Sequence, residues 1–236
     1  MSLSKFVSSI VACGVAAAGL LVPAKTNASG ILYQFDTPFP SDPSPDGSSP
    51  WIDASFQDAS GGVLLTVTNL GLTSTEFMQG NGSGANGGLF FNLNPIDDPT
   101  SLTFTLVSQT ASFGTYIQTG ENAFKADGDG KYDIVFDFSS HLFAGGASFT
   151  YLISGISGLS ANDFAYLSAP AGGSGPFYAA AHVMGLSPAA SNSTWIEPGS
   201  GPMQLMPLPE PSPTALIATS FGLFGALRWW RSKNKI

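Results

Sequence analysis

In Tyr132-Asp133-Ile134-Val135-Phe136-Asp137-Phe138 apolar and polar positions alternate, which puts Tyr132, Ile134, Phe136 and Phe138 on one side of an extended strand and Asp133 and Asp137 on the other. Short runs rich in aromatic and β-branched residues recur along the chain between clusters of Gly, Ser, Asn, Asp and Pro. They predict strands at 31–35, 52–57, 63–68, 89–93, 102–107, 112–118, 132–138, 147–153, 163–168, 177–183 and 194–196. No amphipathic helix stands out among them. About eleven short antiparallel strands, each with one buried face, predict an all-β fold, a β-sandwich of jelly-roll-like winding with a barrel as the alternative. No repeat of fixed period is present, which argues against a propeller, a β-helix or a repeat-built solenoid.

Three stretches break the pattern. Residues 37–50 hold five prolines and predict an extended loop wrapping the sandwich edge, and residues 80–88 hold five glycines, a flexible hairpin or connection. Residues 199–209 read as a Pro- and Met-containing stalk.

At both ends the pattern gives way to unbroken apolar runs. After Lys5, residues 6–22 are almost wholly apolar and small, and Thr26-Asn27-Ala28 offers a small-residue cleavage site before Ser29. Residues 1–28 therefore read as a secretory signal peptide and imply Sec-type export. Ile10-Val11-Ala12-Cys13 looks like a lipobox, but the apolar run continues nine residues past Cys13 instead of ending there. Cys13 is the only cysteine, so the mature chain has none and must be stable by burial without disulfides.

At the other end, residues 211–227 are 17 uncharged positions, against the roughly 17 to 25 needed to cross a hydrocarbon core. A transmembrane helix is expected at 213–227. Arg228, Arg231, Lys233 and Lys235, half of the chain's eight basic residues, stop it and keep the extreme C-terminus in the cytoplasm, with Trp229 and Trp230 at the interface. The expected organisation is thus a signal peptide at 1–28, one β-sandwich domain at 29–208 and a tail at 209–236.

The succession of Pro209-Glu210-Pro211, a short apolar helix and a basic end resembles the PEP-CTERM sorting signal of Gram-negative bacteria that make exopolysaccharide. In that family the tail is recognised by exosortase, a membrane protease-transferase thought to cut at the motif during sorting. The resemblance implies a processed protein of the cell surface, extracellular matrix or biofilm. The same tail module carries an ice-binding label, which describes an address and not an activity. Phe124-Lys125-Ala126-Asp127-Gly128-Asp129-Gly130-Lys131-Tyr132-Asp133-Ile134, with Pro176-Phe177-Tyr178-Ala179-Ala180-Ala181-His182-Val183 and Trp195-Ile196 further on, resembles stretches in a group of proteins with this tail. That likeness implies the same address and an all-β domain, and no mechanism.

Charge narrows the partners. Between residues 29 and 208, 15 of the 16 acidic residues face only Lys125 and Lys131, a net charge of −13. Such a surface repels phosphate backbones and anionic headgroups, which excludes nucleic acid and leaves cations or neutral sugars.

One constellation has chemical content. Asp127, Asp129 and Asp133 stand at i, i+2 and i+6, with glycines that let the backbone curl, in the manner of calcium loops where hard oxygens converge on the ion. Lys131 falls at the third ligand position, Tyr132 replaces the glycine at the sixth, and no Glu follows at the twelfth. The alternative is a Gly-Asp-Gly hairpin turn leading into the 132–138 strand. Calcium is thus a possible cofactor.

Catalysis finds little support. The only histidines are His141 and His182, His182 lies in an apolar strand, and neither G-x-S-x-G nor H-E-x-x-H occurs. The expected protein is a non-catalytic surface or matrix protein holding calcium or exopolysaccharide. The alternative is a carbohydrate-active sandwich, because a glycoside hydrolase needs only two carboxylates at the right separation. Ice binding is weaker, since Thr66, Thr68, Thr73, Thr75, Thr103 and Thr105 form isolated pairs rather than a repeated lattice. Exposed aromatics would mark a sugar site, and only Trp51 and Trp195 remain in the domain, Trp195 being better placed to close the core.

Overall fold

The computed structural model describes residues 29–78, 87–138, 141, 143–189 and 192–205. The expected signal peptide, the Pro209-Glu210-Pro211 motif, the 213–227 helix and the basic stop lie outside these residues, as does most of the glycine-rich 80–88 segment. Among the described residues no helix is long and apolar enough to cross a membrane.

The described chain is a sandwich of two antiparallel sheets. In chain order the strands are β1 (Gly30–Phe35), β2 (Thr37–Pro38), β3 (Ile52–Ala59), β4 (Gly62–Asn69), β5 (Phe77–Met78), β6 (Leu89–Phe91), β7 (Thr103–Gln109), β8 (Thr115–Lys125), β9 (Lys131–Phe138), β10 (Ser148–Ser154), β11 (Ala179–Leu186), β12 (Asn192–Glu197) and β13 (Met203–Leu205). One sheet runs β13-β1-β3-β4-β10-β7, the other β2-β12-β11-β6-β9-β8, with β5 also paired to β11. The sheets have separate edges, so the barrel alternative is not formed.

Alternation explains the first sheet. The registers Ile31↔Phe56, Phe56↔Leu65 and Leu65↔Tyr151 set a row of apolar side chains across β1, β3, β4 and β10, all buried against the other sheet. Thr66 and Thr150 lie on the opposite face and hydrogen-bond each other at 3.0 Å. From the second sheet Leu89, Ile134, Phe136, Phe138, Ala181, Val183 and Ile196 join the main core.

The second sheet departs from the expectation of one buried face. Phe90, Val135 and Ala180, neighbours through the registers Phe90↔Val135 and Ala180↔Phe90, turn away from the main core and are still fully buried. A second apolar cluster covers them, with the ring centroids of Phe39, from the proline-rich loop, and Phe177 4.3 Å apart and Trp195 packed alongside. That loop therefore does more than wrap an edge. Tyr132 belongs to this cluster, its ring 5.5 Å from Phe90, and not to the face of Ile134, Phe136 and Phe138 where alternation puts it. Asp137, expected to point outward, is buried.

Three further expectations are corrected. Residues 163–168 are not a strand: Ala161–Phe164 is a short 3₁₀ turn in which the Asp163 carboxylate accepts from the Ser160 N–H and hydroxyl, both at 2.9 Å. Within the stretch expected as a 199–209 stalk, Met203–Leu205 is a strand that adds β13 to the edge at β1. The predicted strand at 112–118 runs on as β8 to Lys125 through an irregularity between Thr119 and Phe124.

Candidate functional site

The acidic stretch turns between β8 and β9. The Ala126 carbonyl accepts from Asp129 N at 2.8 Å, and Asp127 and Gly128 both have positive φ, 45° and 81°. These are the features of a type I′ turn, which glycine tolerates without steric cost. Asp129 Oδ1 accepts from Ser174 N at 2.8 Å, and a Cβ added at Gly173 would collide with that carboxylate, so the loop seats on it with glycine at 173. Partial burial raises the Asp127 carboxyl above its ordinary range, and the charges of Asp42 and then Asp129 raise it further. Asp42 itself accepts from Trp195 N at 3.0 Å.

Asp133 has other duties. Its Oδ2 accepts from Leu93 N at 2.9 Å and its Oδ1 from Asn122 N at 2.7 Å. The second bond holds the β8 irregularity, where Asn122 takes a φ of 50°. Asp127 thus feels the charges of Asp42 and Asp129, while Asp133 braces a different feature. Among the described residues no group of three or more His, Cys, Asp or Glu is arranged to hold a metal ion.

Beside the β8 irregularity lies an open cleft of about 220 Å³. Asn92, Asn94 and Asn122 line it with Asp97, Glu121 and Asp133, and Leu93, Leu167 and two prolines supply its apolar surface. The Asn92 side chain is turned inward, donating to the carbonyls of Tyr178 (2.9 Å) and Tyr166 (3.1 Å), and Asn94 Nδ2 donates to Asp163 at 3.1 Å. The walls are therefore held by the elements they join, the 3₁₀ turn and the segment entering β11. Small polar groups on a rigid sheet edge are the means by which a site recognises hydroxyls and amines.

Neither tryptophan offers a stacking platform. Trp51 is buried and donates Nε1–H to the Gly47 carbonyl at 2.9 Å. Trp195 packs between Phe39 and Phe90 and stacks on His182 with ring centroids 4.6 Å apart. Burial pushes the His182 imidazole below its usual value, against a smaller opposing pull from Asp42, so the ring is neutral at physiological pH. His141 stacks on Phe77 at 4.1 Å. Neither histidine lines the cleft.

At the β2–β12 edge, Glu197 is lifted to about 7, first by burial and then by the charge of Asp36. The folded chain therefore binds this proton more tightly than the unfolded chain, whose carboxyl sits at the ordinary 4.5. Stability contributed by the protonated form is present below that value and is lost as pH rises from 4.5 through about 7. Glu197→Gln is expected to leave the melting temperature unchanged at pH 4. At pH 8 it should raise stability by roughly 1–2 kcal/mol once the group's partial exposure is discounted. Equal gains at both pH values in thermal melts would refute this.

The chain matches no protein-family model, no curated protein and no solved structure. The site residues missed in the sequence are Asp42, Asp97 and Glu121. Asp42 precedes Pro43, Asp97 precedes Asp98-Pro99, and Glu121 lies in Gly120-Glu121-Asn122. Each sits in a turn signature, and the last interrupts a strand pattern in the way that marks a bulge.

Proposed function

We propose that this chain is an exported, exosortase-sorted protein of the cell surface or extracellular matrix, whose non-catalytic acidic β-sandwich holds polysaccharide. The address rests on the signal-peptide pattern at 1–28 and on Pro209-Glu210-Pro211, the apolar run at 213–227 and the basic residues 228–235, with exosortase and the Sec machinery as partners. A jelly-roll-like winding is supported by the way the chain changes sheet after β1, β2, β4, β6, β7, β9, β10 and β12. The observation that carries the binding role is the cleft lined by Asn92, Asn94, Asn122, Asp97 and Glu121. Its shape and polar groups suit sugar hydroxyls, and its position on β8 and the loop after β6 keeps it rigid.

The test is calorimetric titration of a 29–208 domain with fragments of exopolysaccharide. Binding is expected, and Asp97→Ala with Glu121→Ala should weaken it at least tenfold, which corresponds to about 1.4 kcal/mol. Release of new reducing ends during the titration would favour the glycoside hydrolase reading instead. No heat with any fragment would remove the polysaccharide role.

Calcium is the second reading, supported by the Gly-Asp-Gly turn that carries Asp127 and Asp129 and by the repulsion that Asp42 and then Asp129 exert on the Asp127 carboxyl. A cation at a hundredfold excess over its dissociation constant would stabilise the fold by about 2.7 kcal/mol. Asp127→Asn with Asp129→Asn would abolish that gain. A melting temperature indifferent to millimolar calcium would leave the stretch as a turn alone.

A further inference from the structure

The hydrogen-bond ledger of the cleft is one-sided. Both side-chain donors of Asn92 go to the carbonyls of Tyr166 and Tyr178, Asn94 Nδ2 donates to Asp163, and the N–H groups of Leu93 and Asn122 go to Asp133. Asp97 and Glu121 line the same cleft, and neither carboxylate makes a hydrogen bond to another described residue. No lysine or arginine is among the lining residues, and the Asn122 side chain is the one amide there with no described partner. What faces solvent is therefore rich in acceptors and poor in donors.

A ligand fitting such a surface must bring donors. Sugar hydroxyls donate as readily as they accept, so they satisfy part of it. A carboxylate gains most from a charged donor, since a charge-assisted bond is roughly twice as strong as a neutral one. Anionic sugars are repelled twice over, by Asp97 and Glu121 locally and by the net charge of −13 between residues 29 and 208. The apolar surface of Leu93, Leu167, Pro95 and Pro99 offers contact to the carbon face of a sugar ring without an aromatic platform. We infer that the cleft binds a glycan bearing free amines, a polymer of amino sugars that is at least partly unacetylated, with Asp97 and Glu121 pairing to the ammonium groups and Asp133 positioning the Asn122 wall. This rests on the polysaccharide reading above and names the class of sugar.

The experiment uses the full-length chain in detergent micelles and three tetramers of matched length: unacetylated glucosamine, N-acetylglucosamine and glucose. The glucosamine tetramer is expected to bind at least tenfold tighter than either neutral tetramer. That preference should fade as salt is raised and as pH exceeds the value at which the amines lose their protons. Asp97→Asn with Glu121→Gln should equalise the three ligands while the melting temperature stays unchanged. Asp36→Asn with Asp53→Asn removes the same charge outside the cleft and should leave the preference intact. If it abolished the preference equally, diffuse attraction by the net charge would explain the binding and the inference would fall. Equal binding of all three tetramers by the unaltered chain would overturn the amine preference and leave the polysaccharide reading standing. Failure to bind any of them would overturn both.

Discussion

Phe136→Ala is expected to cost about 3–5 kcal/mol, the range for removing a fully buried aromatic ring. Phe136 is wholly buried in the main core, with ring centroids of Phe104, Phe149 and Tyr151 at 5.5, 5.7 and 5.7 Å and Phe91 at 6.2 Å. Those partners come from β7, β10 and β6, so one ring touches both sheets. Truncation therefore opens a void that no single strand can move to fill, and interiors of native density relax little around such voids. Folded domains are stable by about 5–15 kcal/mol, and a chain with a single cysteine has no internal disulfide to make good the loss. Thermal and urea unfolding should both show it, with the melting temperature lower by about 10 °C or more. Phe136→Leu, which keeps most of the volume, should lose much less. A loss below about 1 kcal/mol for the alanine variant would mean that the two sheets do not share one core.

Glu76→Ala should be the most damaging change to a charged residue, at about 2–4 kcal/mol. Glu76 is fully buried, and its carboxylate accepts from Asp46 N at 2.6 Å and from Thr73 N at 2.8 Å. One oxygen thus ties down the proline-rich loop and the other closes the turn before β5. Alanine leaves both backbone donors without their acceptor, and the penalty for an unmet buried donor exceeds what its bond contributes. Glu76→Gln keeps an acceptor for one of the two and should lose about half as much. The same variants should expose the 37–50 loop to thermolysin, because Phe39 is held in the second cluster by that loop's path. Unchanged proteolysis together with unchanged stability would show that the loop is fastened elsewhere.

These two residues mark the boundary of what could be read from the sequence. Alternation alone sets Phe136 on one face of its strand with Ile134 and Phe138, because a strand with one face in a core must place every second residue there. Ile31, Phe56, Leu65 and Phe149 were legible for the same reason. Glu76 was not, since nothing in Thr75-Glu76-Phe77 distinguishes a buried carboxylate from a solvated one, and the partner that needs it lies 30 residues away. The site shows the same division. The 126–130 turn is visible as a Gly-Asp-Gly signature, whereas Asp42 acts on it electrostatically from the proline-rich loop and Asp97 and Glu121 line the same cleft as Asp133 from separate segments.

By itself the sequence determined the all-β class, most strand positions and the strongly acidic balance of the domain, because each depends on local composition and a period of two. Only the tertiary structure decided that the second sheet buries both faces, that Tyr132 leaves the row of Ile134 and Phe136, and that Asp133 braces a cleft instead of standing with Asp127 and Asp129. The reason is physical. Which face of a strand is covered, and which acceptor meets a given N–H, depends on segments brought together by long-range pairing, such as Phe39 against Phe177 and Leu93 against Asp133, and no local pattern encodes those meetings.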